Sequence, residues 1–202
     1  MENIINLIED SKSVIEKMLL DKKLLSSINE ASKLCVSKIN KKNKILIAGN
    51  GGSAADSQHI AAELVSKFNK KRKAYSAIAL TTDSSILTSI SNDFDYKHVF
   101  SRQIEAIGNK NDIFLAYSTS GNSNNIVNAL KFSKKMGLKN IGLTGLNKGK
   151  MNKYCDVLIE IPSKLTPRIQ EGHLLVGHIL CEIIENNISW NNNDWYINLS
   201  WW

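Results

Sequence analysis

Apolar residues recur along this chain in two rhythms. From residue 2 to 42, Ile4, Ile5, Ile8, Val14, Ile15, Met18, Leu19, Leu25, Ile28, Leu34, Val36 and Ile39 are set among polar residues at helical spacing, with neither proline nor glycine in the stretch. This predicts one or two amphipathic helices. Short apolar runs of strand length follow at Ile45–Ala48, Ala77–Leu80, Ile113–Tyr117, Ile141–Thr144 and Val157–Ile161. Between them lie segments with helical spacing, such as Ala54–Phe68 and Asn124–Met136. The alternation predicts an α/β fold in three layers, a parallel five-stranded sheet with helices on both faces and an N-terminal helical extension over about residues 1–42. No domain boundary is visible inside residues 44–188. The only prolines, Pro162 and Pro167, bracket one short loop, and Arg168–Ile188 reads as a final long helix. Residues 1–188 therefore form a single domain. The tail, 189–202, holds all four tryptophans among asparagines, and no role is assigned to it.

Composition narrows the class. With 202 residues, 43% hydrophobic and 22% charged, the chain is long enough for one continuous core and has the balance of a soluble globular protein. The net charge of +7 admits a nucleic-acid surface or an anionic small-molecule substrate. Its two basic clusters, Lys41/Lys42/Lys44 and Lys67 with Lys70, Lys71, Arg72 and Lys73, read as solvated faces, so no nucleic-acid partner is expected. Cys35, Cys155 and Cys181 are odd in number and form no CxxC pair, which predicts reduced thiols and a cytoplasmic location. Met1-Glu2-Asn3-Ile4 lacks the start of a signal peptide, and no apolar stretch approaches the roughly 18 residues of a membrane span.

The candidate chemistry begins at GNGGSAADSQHIAAELV, residues 49–65. Ile45–Ser53 and Ile113–Ser123 each run from a strand through a Ser, Asn and Gly loop into a helix, a weak internal repeat. At the carboxyl ends of neighbouring parallel strands, two such loops would form an anion cradle from backbone N–H groups and the hydroxyls of Ser118, Thr119, Ser120 and Ser123. The plainer use of Ser53 and of Asn122 or Ser123 is as helix caps. There is no GxxxxGK[ST], and the acid a dinucleotide site needs roughly 20 residues downstream is missing from the end of the next strand. His59 and Glu63, spaced i, i+4, share one helix face and could hold a metal or serve one substrate. On the last helix Gln170 and His178 lie about 80° apart around the axis, so both could face the same cleft.

GNGGSAADSQHIAAEL, SNDF at 91–94, STSGNS at 118–123, LTG at 143–145 and RIQEGHLLVGHIL at 168–180 together resemble the phosphoheptose isomerases of the sugar-isomerase (SIS) fold, over roughly residues 1–188. The resemblance implies interconversion of sedoheptulose 7-phosphate and D-glycero-D-manno-heptose 7-phosphate. It implies one zinc per subunit held by His59, Glu63, Gln170 and His178. Contacts to sugar and phosphate would come from Asn50, Gly51, Gly52, Ser53, Glu63, Asn92, Asp93, Ser118, Thr119, Ser120, Ser123 and Gln170. It further implies a homotetramer whose sites are shared between subunits, with the N-terminal helices at its centre. In an aldose–ketose interconversion one base must reach two adjacent carbons while a second group serves the oxygens, which gives Glu63 as base and His178 as acid. Some SIS proteins are instead binding modules, among them a replication-initiator-associated regulator and sugar-phosphate sensors. These need no acid–base pair, and the presence of both Glu63 and His178 favours the enzyme.

Overall fold

The computed structural model describes residues 2–188, so the tail 189–202 lies outside the described residues. Twelve main elements follow in the order α1 (Glu2–Leu20), α2 (Lys22–Asn40), β1 (Ile45–Ala48), α3 (Gly52–Val65), β2 (Ala77–Ala79), α4 (Ser84–Phe94), α5 (Val99–Ile107), β3 (Ile113–Tyr117), α6 (Asn124–Met136), β4 (Lys139–Thr144), β5 (Val157–Glu160) and α7 (Thr166–Asn187). The five strands pair in parallel in the order β2-β1-β3-β4-β5. The chain steps outward from β1 to β2, then crosses back to lay β3 on the other side of β1. The carboxyl ends of β1 and β3 are therefore the point where ligands bind in open α/β sheets.

Side-chain alternation along the strands divides the core. Ile45, Ile47, Ile113, Leu115, Tyr117, Ile141 and Leu143 point to the face covered by α1, α2, α3 and α7. Leu46, Ala48, Phe114 and Ala116 point to the opposite face, under α5 and α6. A sheet covered on both sides has no polar face, which is why its central strands read as unbroken apolar runs. The N-terminal extension is two helices, and it shares the first core through Val14, Met18, Leu24 and Ile28. The break falls at Asp21, whose Oδ1 accepts the N–H groups of Lys23 and Leu24 at 2.9 and 3.0 Å and so caps α2.

The structure departs from the sequence pattern in several places. Strand β4 begins at Lys139, two residues early, because the polar Asn140 is fully buried yet satisfied. Its amide donates to the carbonyls of Leu130 and Tyr154 and accepts the Ser133 hydroxyl at 2.7 Å. Helix α7 begins at Thr166 with Pro167 inside its first turn, where a missing N–H is harmless. Helices α4 and α5 have no counterpart among the predicted elements, and α4 buries none of its residues completely. Finally, Arg72 is no solvated charge. It is 5% exposed and paired with Glu185.

Candidate active site

The first loop owes its shape to Gly51. With φ of 57° and ψ of −122°, it adopts a backbone that side chains disfavour, and it hands the chain directly into α3. No side chain caps that helix, and Ser53 lies within its first turn. Ser123 stands at the N-cap of α6, but its hydroxyl makes no capping bond and meets Ser118 Oγ at 3.0 Å instead. Asn122 directs its Oδ1 to the N–H of Lys150. Helix capping therefore accounts for neither loop. In the first turns, the N–H groups of Ser53 and Ala54 already bond to the carbonyls of Asn50 and Gly51, and that of Ile126 to Asn125 Oδ1; those of Gly52, Asn124 and Asn125 are left to face an anion, as helix N-termini allow.

Side chains join the two loops. Asn50 and Asn125 exchange amide hydrogen bonds of 3.0 and 2.8 Å, and the Tyr96 hydroxyl donates to Asn50 Oδ1 at 3.1 Å. Neither Asn125 nor Tyr96 was singled out from the sequence, although Asn125 sits directly beside the STSGNS motif. Ser118 is buried, while Thr119 is half-buried and Ser120 exposed at the mouth of the second loop. Ser120 Oγ accepts the Asn122 N–H at 3.2 Å.

Helix α3 carries His59 and Glu63 away from the glycine loop, and α7 runs beside it. Their close approach depends on Gly177, where a Cβ would fall 2.6 Å from Ile60 Cδ1. The next residue, His178, thereby reaches α3. His178 Nε2 stands 3.5 Å from His59 Nε2, and His59 Nε2 stands 3.2 Å from Glu63 Oε1. All three side chains retain access to solvent, and the Phe68 ring backs His178 at 5.5 Å between centroids. One turn before His59, Asp56 has a buried Oδ2 with no partner. Burial raises its pKa, and the charge of His59 offsets part of that rise.

Gln170 does not join these residues within the chain. Its amide packs on Gly52, where a Cβ would meet Nε2 at 2.6 Å. The eight residues separating it from His178 span about 12 Å along the helix axis, so angular agreement alone does not bring both to one ion. Asn92 and Asp93 also stand apart, on the exposed last turn of α4, where Asn92 Nδ2 donates to Asp93 Oδ1 at 2.8 Å. Asp93 lines a groove of about 380 Å³ between α4 and α5 with Ile90, Phe94 and Arg102.

The nitrogen and oxygen donors of His59, Glu63 and His178 suit zinc in kind. On a tetrahedral ion with Zn–N bonds of about 2.0–2.1 Å, neighbouring ligand atoms lie about 3.3–3.4 Å apart. The observed 3.5 and 3.2 Å match two such edges. Among the described residues, however, no three His, Cys, Asp or Glu side chains are already gathered closely enough to hold a metal ion. Elsewhere, Cys35, Cys155 and Cys181 are unpaired, and burial pushes each thiol up to about 12, which leaves them unreactive.

Comparison with known proteins shows the family to which this fold belongs. A family model described as SIS domain matches residues 8–145. The chain is 49% identical over 185 residues to the phosphoheptose isomerase of Burkholderia pseudomallei, covering 92% of this chain and 94% of the relative. It is 50% identical over 192 residues to phosphoheptose isomerase 2 of Campylobacter jejuni, covering 93% and 96%. Among solved structures, the phosphoheptose isomerase of Neisseria gonorrhoeae superposes with a TM-score of 0.86 at 38% identity, covering 92% of this chain and 98% of that one.

Proposed function

This chain belongs to the phosphoheptose isomerases of the SIS-domain family, and on that premise we propose that it interconverts D-sedoheptulose 7-phosphate and D-glycero-D-manno-heptose 7-phosphate at the cleft of His59, Glu63 and His178. It is an isomerase and opens a route to heptose biosynthesis. The observation that carries the substrate and residue assignments is the meeting of a carboxylate and two imidazoles beside two loops suited to a phosphate.

The reaction moves two protons and no net electrons. Glu63 takes the proton from C1 of the ketose and returns it to C2 through an enediol. His178 donates to the C2 oxygen as the C1–H bond breaks and recovers a proton from the C1 hydroxyl as the aldehyde forms. The 7-phosphate, far from these carbons, binds at the N-termini of α3 and α6 with the hydroxyls of Ser118, Thr119, Ser120 and Ser123. Asn50 is held for the sugar by Asn125 and Tyr96, and Gln170 stands beside Gly52 to contact the same substrate. His59, Glu63 and His178 would hold one zinc per chain, which when bound polarises the carbonyl. His59 already engages one oxygen of Glu63, so the base keeps its second oxygen for the carbon acid.

A homotetramer with shared sites is also proposed. Helix α1 leaves Ile4, Ile5, Leu7, Ile8, Ile15 and Leu19 exposed, an apolar face large enough to be an interface. Sites completed across subunits account for Asn92 and Asp93 lying apart from the cleft of their own chain. A cytoplasmic location is supported by the three unpaired thiols, and among the described residues no helix is long and apolar enough to cross a membrane. The test is a proton NMR time course with sedoheptulose 7-phosphate, in which the aldose signals must grow as the ketose signals fall. A static spectrum overturns this substrate.

A further inference from the structure

The segment that follows α3 is built around one buried ion pair. Arg72 Nε meets Glu185 Oε1 at 2.9 Å, and both side chains are 2% exposed. The Glu185 carboxylate also accepts the backbone N–H groups of Phe68, Asn69 and Lys70 at 3.1, 2.8 and 2.9 Å. Desolvation would raise its pKa, but these donors and Arg72 outweigh burial and hold it below the usual carboxylate range. The guanidinium, 3.9 Å from the Tyr75 ring centroid, spends its other nitrogens on carbonyls: Nη1 on Leu64 at 2.9 Å and Nη2 on Glu63 at 2.7 Å. These are among the last carbonyls of α3, which the helix itself leaves unbonded.

Two of the three tethered pieces, α3 and α7, carry the proton-transfer groups, and the third packs against one of them. Arg72 grips the backbone of Glu63 itself. Glu185 lies seven residues beyond His178, on the same side of α7, and gathers the loop whose Phe68 ring packs on His178. A buried ion pair is weak grounds for stability, because desolvation opposes the Coulomb gain. It is a strong way to fix register, since only a fork of several donors can bind a carboxylate and two helix-end carbonyls together. We propose that Arg72 and Glu185 are positioning residues that set Glu63 against His178. This rests on the reading of that pair as base and acid.

The experiment uses Arg72→Lys, which keeps the charge and loses the fork, and Glu185→Gln, which keeps the shape and loses the charge. Each is assayed with sedoheptulose 7-phosphate below its measured melting temperature, alone and combined with Glu63→Gln. The expected result is a kcat lower by about 10- to 100-fold with KM within about twofold, because a misplaced base loses rate while the distant phosphate still binds. In the Glu63→Gln background the same changes should lower the residual rate by less than about twofold, since their target is already disabled. Full kcat in a folded variant overturns the inference, as does a loss of equal size in both backgrounds. Should Glu185→Gln fail to fold, Arg72→Lys decides alone. Normal turnover by Glu63→Gln overturns the assignment of the base itself, and this inference with it.

Discussion

His178 and His59 meet nitrogen to nitrogen, Nε2 to Nε2 at 3.5 Å, with their ring planes at 81°. Two imidazole nitrogens facing each other repel if both are lone pairs and clash if both carry hydrogen. The contact is favourable when one donates to the other, or when both lone pairs address a cation between them. Glu63 Oε1, 3.2 Å from the same His59 nitrogen, adds negative charge on the side where a cation would sit.

Protein purified without a metal-binding tag is therefore expected to contain zinc at a substantial fraction of one ion per chain. His59→Ala should remove most of it, because this ring makes both contacts of the cluster. Elemental analysis of the two proteins checks this. Equal metal in both would place the ion elsewhere.

Replacing Glu63 by Gln keeps the shape of the side chain but removes the proton acceptor. The expected outcome is a kcat lower by a factor of about 10² to 10⁴ with KM and fold little changed. Steady-state kinetics beside a melting curve measure all three.

At the phosphate loop the signature should be opposite. Ser123 Oγ meets Ser118 Oγ and caps nothing, so Ser123→Ala is expected to leave melting close to wild type while raising KM more than it lowers kcat. Loss of one hydrogen bond to a charged group corresponds to roughly 1.5–3 kcal/mol, or about ten- to a hundredfold in kcat/KM. Wild-type kinetics in this variant would place the phosphate at a different loop.

Stability should carry the mark of His173, a fully buried ring on α7 whose two nitrogens have no hydrogen-bond partner. Burial pushes its pKa down from 6.5 to about 4, and the nearby backbone of Thr144 offsets only part of that. The unfolded chain thus binds the proton more readily than the folded one. The contribution is whole above pH about 6.5 and falls progressively as the pH drops toward about 4, by about 3 kcal/mol in total. Melting temperature followed from pH 7.5 to 4 should show this decline in the wild type and a shallower one in His173→Leu. Parallel slopes would assign the decline to other groups.

Local spacing along the chain sufficed for much of the architecture. The five apolar runs, the helical stretches between them and the strand–loop–helix units at Gly49 and Ser118 are properties of neighbouring residues. Periods of two and of three to four follow directly from strand and helix geometry. The pairing of His59 with Glu63 was legible for the same reason, as one turn of one helix. Where burial and polarity disagreed, the pattern failed. Asn140 lies outside the apolar run Ile141–Thr144 yet is a satisfied core amide, while Arg72, in a cluster that reads as solvated charge, is an internal clamp.

The contacts that join those parts into one site span long distances in sequence. His178 meets His59 across 119 residues, Asn125 fixes Asn50 across 75, and Glu185 binds Arg72 across 113. No local period encodes such contacts, because they depend on how two finished helices lie against each other. The angular position of Gln170 on α7 could be calculated from spacing, but its partner could not, and the structure sets it against Gly52. The sequence determined which side chains were available and which face of its own helix each would share. Only the packing of α7 along α3, made close by Gly177, decided which of them could act on one substrate.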